Sequence, residues 1–505
     1  MIYIILFSIL LILVPKVIIF FGLFQQNGYK INKYLLNLKK HYLKTVSVYL
    51  EYVALIIMFL YSFNKDWYLG ILGIFFMLSS FLLTEPLIIY PKITKRIIRL
   101  FIMVLLLYII PLCIFNKHLY VLLLETIFLP FLIILSSIIN KPIEEIINNY
   151  YKKKAFNKLN YINPLIIGIT GSFGKTSTKN IIHNIINSNY YTYSTPKSYN
   201  TPMGICKSIA EMNDQTEVFI SELGATKLLD IKELIDFVPV NIGIITDIGP
   251  QHLESFKTIE NVLKTKLEIL ESKKISKLII NNDNQYLREY HYPSNIEIIR
   301  IGIMANSDYV GKNIKLSSDG LSFDVYREEE YLLTIKTHLL AKHNIYNLLF
   351  GIVVGVILNI DINTISKNIN KIQPVDNRLS ISNIGKIQII NDAFNSNVNG
   401  FKNAVEVLKA SKNKRILITP GLVDLGELLE EKNIEIGKYL IEDIDYIYLV
   451  ENEASLYIKD YFNKTNFKNF EMVSSFKKAY NKALSKYEES TILIENDLPD
   501  NYLRR

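Results

Sequence analysis

The sequence predicts an α/β fold, with two α/β domains preceded by an all-α transmembrane region. Three observations support this prediction. The chain has 505 residues, which is too long for one domain. Apolar residues dominate the part before residue 140. From Pro164 onward, short β-branched runs alternate with amphipathic stretches, the pattern of a parallel sheet covered by helices on both faces. The two cysteines, Cys113 and Cys206, are too few for a disulfide framework or a zinc site.

Five apolar stretches form the predicted transmembrane region, residues 1–140. Each is near the roughly 20 residues that cross a bilayer as a helix. They cover about 1–24, 47–64, 68–91, 99–115 and 118–139. The connecting segments 30–44 and 92–99 are basic, and basic loops stay cytoplasmic. We therefore expect a multi-pass protein of the cell membrane with its N-terminus outside and everything after residue 140 in the cytoplasm.

The charged residues near the membrane have separate interpretations. The net charge of +8 indicates membrane topology and a lipid bilayer as partner, not a nucleic acid. Glu51 and Glu85 are predicted at membrane interfaces, whereas Glu125 lies deeper and is a candidate for helix contact or lipid-headgroup recognition. Residues 141–160 mix Ile, Tyr and Lys at helical spacing, which predicts an interfacial linker helix.

Two α/β domains are predicted after the linker, at 161–378 and 379–505. The first contains buried-strand runs at 165–170, 218–221, 240–245 and 278–280, a β-rich insertion at about 297–337, and helices near 343–358 and 362–371. The β-α alternation restarts at about Lys386, with strands at 387–390, 416–419, 446–450 and 492–494. This second, smaller domain has its own core.

A phosphate-binding loop (P-loop) is the strongest single motif. It reads Thr-Gly-Ser-Phe-Gly-Lys-Thr and lies between a predicted strand and a predicted helix. Glycines let backbone N–H groups approach phosphate, and the helix N-terminus favours negative charge. Lys175 is expected to reach the β and γ phosphates, and the Thr176 hydroxyl to bind Mg²⁺. The predicted ATP-binding residues here are Thr170, Gly171, Ser172, Gly174, Lys175, Thr176 and Ser177.

Further motifs follow in an order that resembles the Mur ligases of cell-wall synthesis, over about residues 160 to 430. They are Asn200-Thr201-Pro202-Met203-Gly204, Ser221-Glu222-Leu223-Gly224-Ala225, the run 245–254 with Gln251-His252-Leu253-Glu254, and Lys266-Leu267-Glu268-Ile269. The Glu-Leu-Gly-Ala and His-Leu-Glu elements are most similar to the branch that adds D-alanyl-D-alanine to the muramyl tripeptide. The resemblance implies a P-loop central ATP-binding domain at 161–378 and a Rossmann-like C-terminal domain at 379–505.

Metal ligands are implied by the same resemblance. Glu222 and His252 are expected to hold Mg²⁺ beside the nucleotide. Lys266 matches a lysine that is carbamylated in the family and becomes an anionic metal ligand. Taken singly, each residue is better explained structurally, Glu222 as a helix cap, His252 as a polar core histidine and Lys266 as part of a solvated helix face. Taken together, their spacing relative to the P-loop favours the site.

Nucleotide contacts are also implied by resemblance. His343, Asn344 and Asn347 match a family element whose amides contact adenine, although Asn344 is also a candidate helix cap. Arg378 matches an interdomain arginine that meets the γ-phosphate. Asp392, in a segment where Asn391, Phe394 and Val398 depart from the family pattern, is expected on the ribose.

The implied reaction is ATP-dependent joining of a carboxylate to an amine through an acyl phosphate, with Mg²⁺. Lys175, Lys266, His252 and Arg378 are the expected catalytic residues. The partners would be a carboxylate acceptor of cell-envelope or peptidoglycan type and an amino acid or dipeptide. The family's sugar-nucleotide domain is absent before residue 140, and the C-terminal Lys-Gly-Ser-Arg-like loop is replaced by 494–502. A ligase resembling poly-γ-glutamate synthases therefore stays open. An ATP-driven transporter or sensor is a remote alternative, since the chain has no Leu-Ser-Gly-Gly-Gln run.

Overall fold

The computed structural model describes residues 2–39, 46–64, 66–82, 90–114, 119–251, 253–317, 320–373, 379–393, 398–423, 425 and 428–496. The chain divides into two units, of which one comprises Met1–Asn149 and the other begins at Tyr150. Among the described residues, the first unit contains helices only, and every strand belongs to the second unit.

Apolar helices form the first unit. Each of the five apolar stretches predicted from the sequence overlaps one of these helices. They are α1 (Ile2–Gln26), α3 (Val46–Asn64), α4 (Trp67–Leu82), α5 (Lys95–Ile114) and α6 (Leu119–Ile162), with the short α2 (Ile31–Asn37) after α1. Among the described residues, three segments are long and apolar enough to cross a membrane, namely Tyr3–Gln26, Val46–Asn64 and Tyr120–Ile162. The number of five spans stays a prediction.

Helix α6 is continuous over 44 residues. No helix boundary therefore separates the predicted span 118–139 from the predicted linker helix 141–160. The sequence of α6 contains no glycine, and its two internal prolines, Pro130 and Pro142, each remove only one backbone N–H donor. The helix ends before Asn163, which has a positive φ of 48°, and Pro164.

Polar side chains are buried between the apolar helices. Glu51 of α3 is 1% exposed, forms an ion pair with Lys16 of α1, and accepts a hydrogen bond of 2.8 Å from the Ser80 hydroxyl of α4. The sequence predicts Glu51 at an interface, but it is buried among helices because Lys16 and Ser80 supply a charge and a donor. Glu125 of α6 is also buried, and Glu85 lies outside the described residues.

The second unit contains a nine-stranded sheet with the order β2-β3-β1-β4-β5-β6-β7-β8-β9. The pairs from β2 through to β7 are parallel, and β7, β8 and β9 form antiparallel pairs. The strands are β1 (Leu165–Thr170), β2 (Thr192–Ser194), β3 (Val218–Glu222), β4 (Ile242–Ile245), β5 (Lys277–Asn281), β6 (Glu297–Gly302), β7 (Tyr309–Ser317), β8 (Gly320–Arg327) and β9 (Glu330–Thr337). The predicted β-rich insertion corresponds to β6–β9.

Helices cover both faces of this sheet. They are α7 (Lys175–Ile186), α8 (Pro202–Glu211), α9 (Asp230–Ile235), α10 (Leu253–Phe256), α11 (Ile259–Leu267), α12 (Gln285–Arg288), α13 (His343–Ile357) and α14 (Ile362–Ile369). Ile167 and Ile169 of β1 pack into the core with α7, α13 and α14, whereas Ile166 packs into the core with α8 and α9. Successive residues of a strand point to opposite faces, so the apolar run of β1 feeds both cores.

A six-stranded sheet follows, with the order β10-β11-β15-β12-β13-β14. Its strands are β10 (Ser380–Ile384), β11 (Ile387–Asp392), β12 (Lys414–Thr419), β13 (Tyr446–Val450), β14 (Phe470–Val473) and β15 (Ser490–Glu495); its helices are α15 (Val398–Lys409), α16 (Leu429–Leu440), α17 (Glu453–Lys464) and α18 (Phe476–Lys486). Strands β10 and β14 were not predicted from the sequence. They are the two edge strands, and β10 pairs antiparallel with β11.

Candidate active site

The P-loop connects β1 to α7 as predicted. Two of its residues have backbone conformations that favour glycine: Gly171 has a φ of +138° and Gly174 a φ of +79°. A Cβ atom on Gly171 would also collide with the side chain of Thr246. The loop therefore needs glycine at both positions for its backbone to turn from the strand end directly into the helix.

Neighbouring strand β4 holds the loop in place through the segment that follows it. The Ser172 N–H donates to the Asp247 carbonyl at 2.8 Å, and the Ser172 hydroxyl donates to the Gly249 carbonyl at 3.1 Å. The Thr246 hydroxyl donates to the carbonyl of Phe173. Since β1 and β4 are parallel neighbours, their carboxyl ends meet at one edge of the sheet, and the loop lies there.

Lys175 begins α7, and its ammonium folds back over the loop. The Lys175 Nζ donates to the carbonyls of Gly171 at 2.7 Å and of Ser172 at 3.2 Å. Ser177 lies in the same first helical turn. A cation and the N-terminus of a helix thus lie beside one Gly-containing loop, which is an arrangement suited to bind the phosphates of a nucleotide.

Glu222 lies at the end of β3, on the other side of β1 from β4. Its carboxylate is 1% exposed and accepts hydrogen bonds from the Thr176 hydroxyl at 2.9 Å and from the Asn200 side-chain amide at 3.0 Å. The carboxylate and the hydroxyl are oxygen donors of the type that Mg²⁺ prefers. The predicted metal ligands Glu222 and Thr176 therefore lie in contact.

Lys266 lies in the last turn of α11 and is 1% exposed. Among the described residues, its ammonium has no hydrogen-bond partner. Burial, and secondly the charge of Lys175, hold the pKa of Lys266 well below its ordinary value, whereas Asp230 and Glu268 act in the opposite direction. The solvated-face alternative for Lys266 is therefore wrong, and the burial favours a neutral amine.

The adenine candidates lie at the start of α13. The Asn347 amide donates to the Asn344 side-chain oxygen at 3.0 Å and accepts from the Thr178 hydroxyl of α7 at 3.0 Å. Asn344 donates to the Leu340 carbonyl at 2.5 Å, and the N-cap position is occupied by Lys342 without a side-chain cap. Helix capping by Asn344 is thus wrong: Asn344 lies within the first turn, where its amide reaches backwards to a carbonyl.

His343 is the first residue of α13. Asp392 ends β11 of the six-stranded sheet, where its carboxylate accepts a hydrogen bond of 3.2 Å from the N–H of Leu379. His252 and Arg378 lie outside the described residues, although they adjoin described residues at Leu253 and Leu379. The roles of these four residues stay predictions.

Three polar residues of the site were not assigned a role from the sequence. Lys179 of α7 is buried, and its ammonium lies 3.4 Å from a Glu222 oxygen. Asn200 was identified only as part of a motif. Asp247 accepts a hydrogen bond of 2.5 Å from the Asn284 amide, and burial raises the pKa of Asp247 to about 6. In the sequence, Lys179 follows Lys175 by four residues, a spacing that places both side chains on the same face of α7.

Two protein-family models match the chain: the Mur ligase middle domain over residues 169–355, and the Mur ligase, glutamate ligase domain over residues 377–494. The chain belongs to the Mur ligase family. The two matched ranges contain the P-loop, Glu222 and Lys266 in the first and Asp392 in the second, so the motifs noted in the sequence lie within the domains of this Mur ligase.

Two curated relatives of this Mur ligase carry the name "UDP-N-acetylmuramoyl-tripeptide--D-alanyl-D-alanine ligase". The protein from Bacillus subtilis (strain 168) is 26% identical over 287 residues, which are 56% of this chain and 62% of the relative. The protein from Buchnera aphidicola subsp. Baizongia pistaciae (strain Bp) is 30% identical over 271 residues, which are 52% of this chain and 58% of the relative. The chain thus spans less than two thirds of the length of these two relatives.

A solved structure, the MurF ligase from Thermotoga maritima in complex with ADP, has the same fold. Its TM-score to this Mur ligase is 0.63 at 22% sequence identity, and the match covers 69% of this chain and 80% of the other. The predicted α/β architecture of a Mur-ligase central domain and a C-terminal domain is therefore confirmed.

Proposed function

We propose that the protein is an ATP-dependent ligase that joins a carboxylate to an amine in the synthesis of a peptidoglycan-type precursor. One observation carries the proposal. At the carboxyl edge of the nine-stranded sheet, the P-loop with Lys175 lies beside the contact between Thr176 and Glu222. The names of the curated relatives support the same reaction class.

The residues of the site fit Mg²⁺ as well as ATP. Thr176 and Glu222 offer hard oxygen donors, and we propose that His252 and Lys266 complete the ligand set. When bound, Mg²⁺ would offset the negative charge of the phosphates. His343, Asn344 and Asn347 are proposed to contact adenine and Asp392 the ribose.

Lys266 has the properties that carbamylation requires. A neutral amine adds to the carbon of CO₂ and releases one proton, which leaves an anionic carbamate in place of a cation. Burial favours the neutral amine of Lys266, and its buried nitrogen has no hydrogen-bond partner among the described residues. The modification would turn a cation that repels metal into an oxygen ligand.

The chemistry then proceeds in two displacements. An oxygen of the acceptor carboxylate attacks the γ-phosphorus of ATP, the bond to the β-γ bridging oxygen breaks, and ADP leaves with an acyl phosphate remaining. The amine attacks the acyl carbon, inorganic phosphate leaves, and the amine loses a proton to give the amide. Lys175 holds the transferring phosphoryl group, and Arg378, between the two predicted domains, is proposed to meet the γ-phosphate when the domains close.

The location and the substrates belong to the proposal too. The apolar segments Tyr3–Gln26, Val46–Asn64 and Tyr120–Ile162 support a membrane anchor, with the bilayer as partner and the α/β domains in the cytoplasm. The names of the relatives favour D-alanyl-D-alanine as the amine and a muramyl tripeptide as the acceptor. In this chain, apolar helices occupy the first 140 or so residues, so an acceptor linked to the membrane is the natural candidate.

Product analysis tests this function. The full chain, purified in detergent, is given ATP, Mg²⁺ and a muramyl tripeptide acceptor, with D-alanyl-D-alanine in one reaction and glutamate in another. ADP release is followed and the product is identified by mass. We expect an amide with the dipeptide, and none with the Lys175→Ala variant. Chain extension with glutamate would favour the poly-γ-glutamate-type reaction, whereas ADP release without any new amide would exclude a ligase.

A further inference from the structure

Lys179 is a buried residue of the site whose position neither the P-loop motif nor the proposed reaction explains. It lies one helical turn after Lys175 on α7 and is 1% exposed. Its ammonium donates to the carbonyl of Thr195 at 2.7 Å and to the carbonyl of Lys197, and it lies 3.4 Å from a carboxylate oxygen of Glu222. An ammonium has three N–H donors, so it can serve these three oxygens at the same time.

The contacts of Lys179 connect three separate parts of the sheet edge. Lys179 belongs to the P-loop helix, Glu222 ends β3, and Thr195 directly follows β2. The Glu222 N–H also donates to the Thr195 hydroxyl at 3.2 Å, and the Asn200 amide donates to Glu222 at 3.0 Å. We name residues 195–200 the β2-α8 segment, because they connect those two elements. The β2-α8 segment is thus hydrogen-bonded to Glu222 directly, through Thr195 and Asn200, and indirectly, through the ammonium of Lys179.

The position of the Glu222 carboxylate depends on these donors. A buried carboxylate that lacks partners is expensive, and it turns toward whichever donors remain. Thr176, Asn200 and Lys179 each hold one of its oxygens, and only Lys179 carries a charge. A hydrogen bond in which one partner is ionised is roughly twice as strong as a neutral one, so all three donors hold the carboxylate. Lys179, at 3.4 Å, adds a positive charge that offsets the charge of the carboxylate.

We propose that Lys179 is a positioning residue, which holds the Glu222 carboxylate and the β2-α8 segment in the arrangement that binds the Mg²⁺–nucleotide complex. This inference rests on the proposed function, since it uses Glu222 as the metal ligand. It goes beyond that function by assigning a role to Lys179, which is not among the residues proposed to bind the nucleotide or the metal. Lys179 acts on Mg²⁺-dependent binding through Glu222.

Titration of ADP binding with Mg²⁺ tests the role. The full chain in detergent is titrated with MgCl₂ at fixed ADP, and the Mg²⁺ concentration for half-maximal ADP binding is compared between variants. Lys179→Met keeps the length of the buried stem and removes the ammonium. We expect the Mg²⁺ midpoint to rise about tenfold, the size of effect that the loss of one charge-assisted hydrogen bond produces. ADP binding without Mg²⁺ should stay unchanged.

Lys158→Met is the matched control. Lys158 also donates to two backbone carbonyls, those of Ala210 and Met212, but it has no contact with Glu222. Its replacement should leave the Mg²⁺ midpoint as it is. If Lys179→Met does not fold, Lys179→Arg is measured instead, because a planar guanidinium cannot reproduce the three-way contact of an ammonium. The same rise in the Mg²⁺ midpoint is expected.

The outcomes separate this role from the proposed function. A folded Lys179 variant with a lower melting temperature but an unaltered Mg²⁺ midpoint would show that Lys179 only stabilises the fold, and would overturn this inference alone. If the unaltered protein bound no ADP at any Mg²⁺ concentration, the proposed function would fail together with the inference. Normal ligation by the unaltered protein, with equal midpoints in all variants, would leave the function standing and remove the inference.

Discussion

Two buried ammonium–carboxylate pairs, Lys16–Glu51 in the first unit and Lys179–Glu222 in the second, use the same groups in different surroundings. Each of the four residues is 1% exposed. Glu51 has Ser80 as a further donor, and the neighbouring parts of α1 and α3 belong to apolar clusters. Glu222 lies at a strand end beside the P-loop and accepts from two further polar side chains.

The difference lies in what each carboxylate can reach. Glu51 lies within a helix, where packed helices surround it and its partners hold the helices together. Glu222 ends a parallel strand, and the carboxyl ends of such strands are where ligands bind in α/β sheets. The position in the fold, and not the chemistry of the pair, therefore separates a stabilising pair from a candidate metal ligand. Four predictions, each with its own measurement, test this comparison.

The largest effect is expected from Glu222→Gln. The change removes the charge of a proposed Mg²⁺ ligand while it keeps the size of the side chain, so ligation should fall by about 10²- to 10³-fold. Initial rates of product formation measure this. Glu51→Gln is the same change in the other pair and should leave the rate per folded molecule unaltered. A Glu222→Gln enzyme with more than about a tenth of normal activity would contradict the assignment.

The next effect concerns the stability of the first unit. Lys16→Met leaves Glu51 as a buried charge without its ion-pair partner, which should lower the free energy of unfolding by about 3–5 kcal/mol. The double variant Lys16→Met with Glu51→Leu should recover most of that loss, because no buried charge remains. Thermal unfolding in detergent, followed by circular dichroism, compares the two. Equal destabilisation in the single and double variants would mean that packing, and not charge, explains the effect.

Asp247 is a half-buried carboxylate with hydrogen bonds from Asn284 and the Ile248 N–H but no cation among its described hydrogen-bond and ion-pair partners. Burial raises its pKa from 3.8 to about 6, so the folded protein binds this proton more tightly than the unfolded chain does. Stability is therefore lost as the pH rises from 3.8 to about 6, and the loss persists above that.

Asp247→Asn removes the charge and keeps both acceptor contacts. It should raise the free energy of unfolding by about 1–3 kcal/mol near pH 7.5, and by much less near pH 4.5. Melting temperatures at the two pH values measure this difference. A gain of the same size at both would show that the Asp247 charge is not its cause.

The smallest effect is expected from an exposed carboxylate that has no ion pair within the described part of the chain. Asp361 caps α14 by accepting a hydrogen bond of 3.1 Å from the Thr364 N–H. Asp361→Ala should cost about 1 kcal/mol and leave ligation unchanged. Chemical unfolding of the variant sets the baseline against which the buried pairs are judged. A loss as large as that of Lys16→Met would show that burial is not what makes a carboxylate important here.

Local patterns predicted much of the site. The P-loop glycines, Lys175 and Thr176 follow one another in the chain, and a strand–loop–helix context places them together without any long-range contact. Glu222 was predicted from the resemblance to the Mur ligases, and its place at the end of a buried-strand run agrees with that role, because strand ends of a parallel sheet meet at one edge. The contact between Thr176 and Glu222 confirms that these two lie together.

Pairings between distant residues were beyond the sequence. Lys16 was one basic residue in a predicted apolar span, and nothing nearby indicated that Glu51, 35 positions later, would be its partner. The helix-capping alternative for Asn344 failed because the amide bonds to the Leu340 carbonyl, and that bond depends on how the chain enters α13. Edge strands β10 and β14 were missed because edge strands bury less apolar surface.

By itself, the sequence determined the order of the apolar helices and α/β domains, the P-loop, and the carboxylate at the end of β3. These follow from periodicity and from residue types at short spacing, which act locally. Only the tertiary structure decided that Lys179 contacts Glu222, that Lys266 is buried, and that Lys16 pairs with Glu51. Ion pairs and burial depend on which segments pack together, and packing is a property of the whole fold.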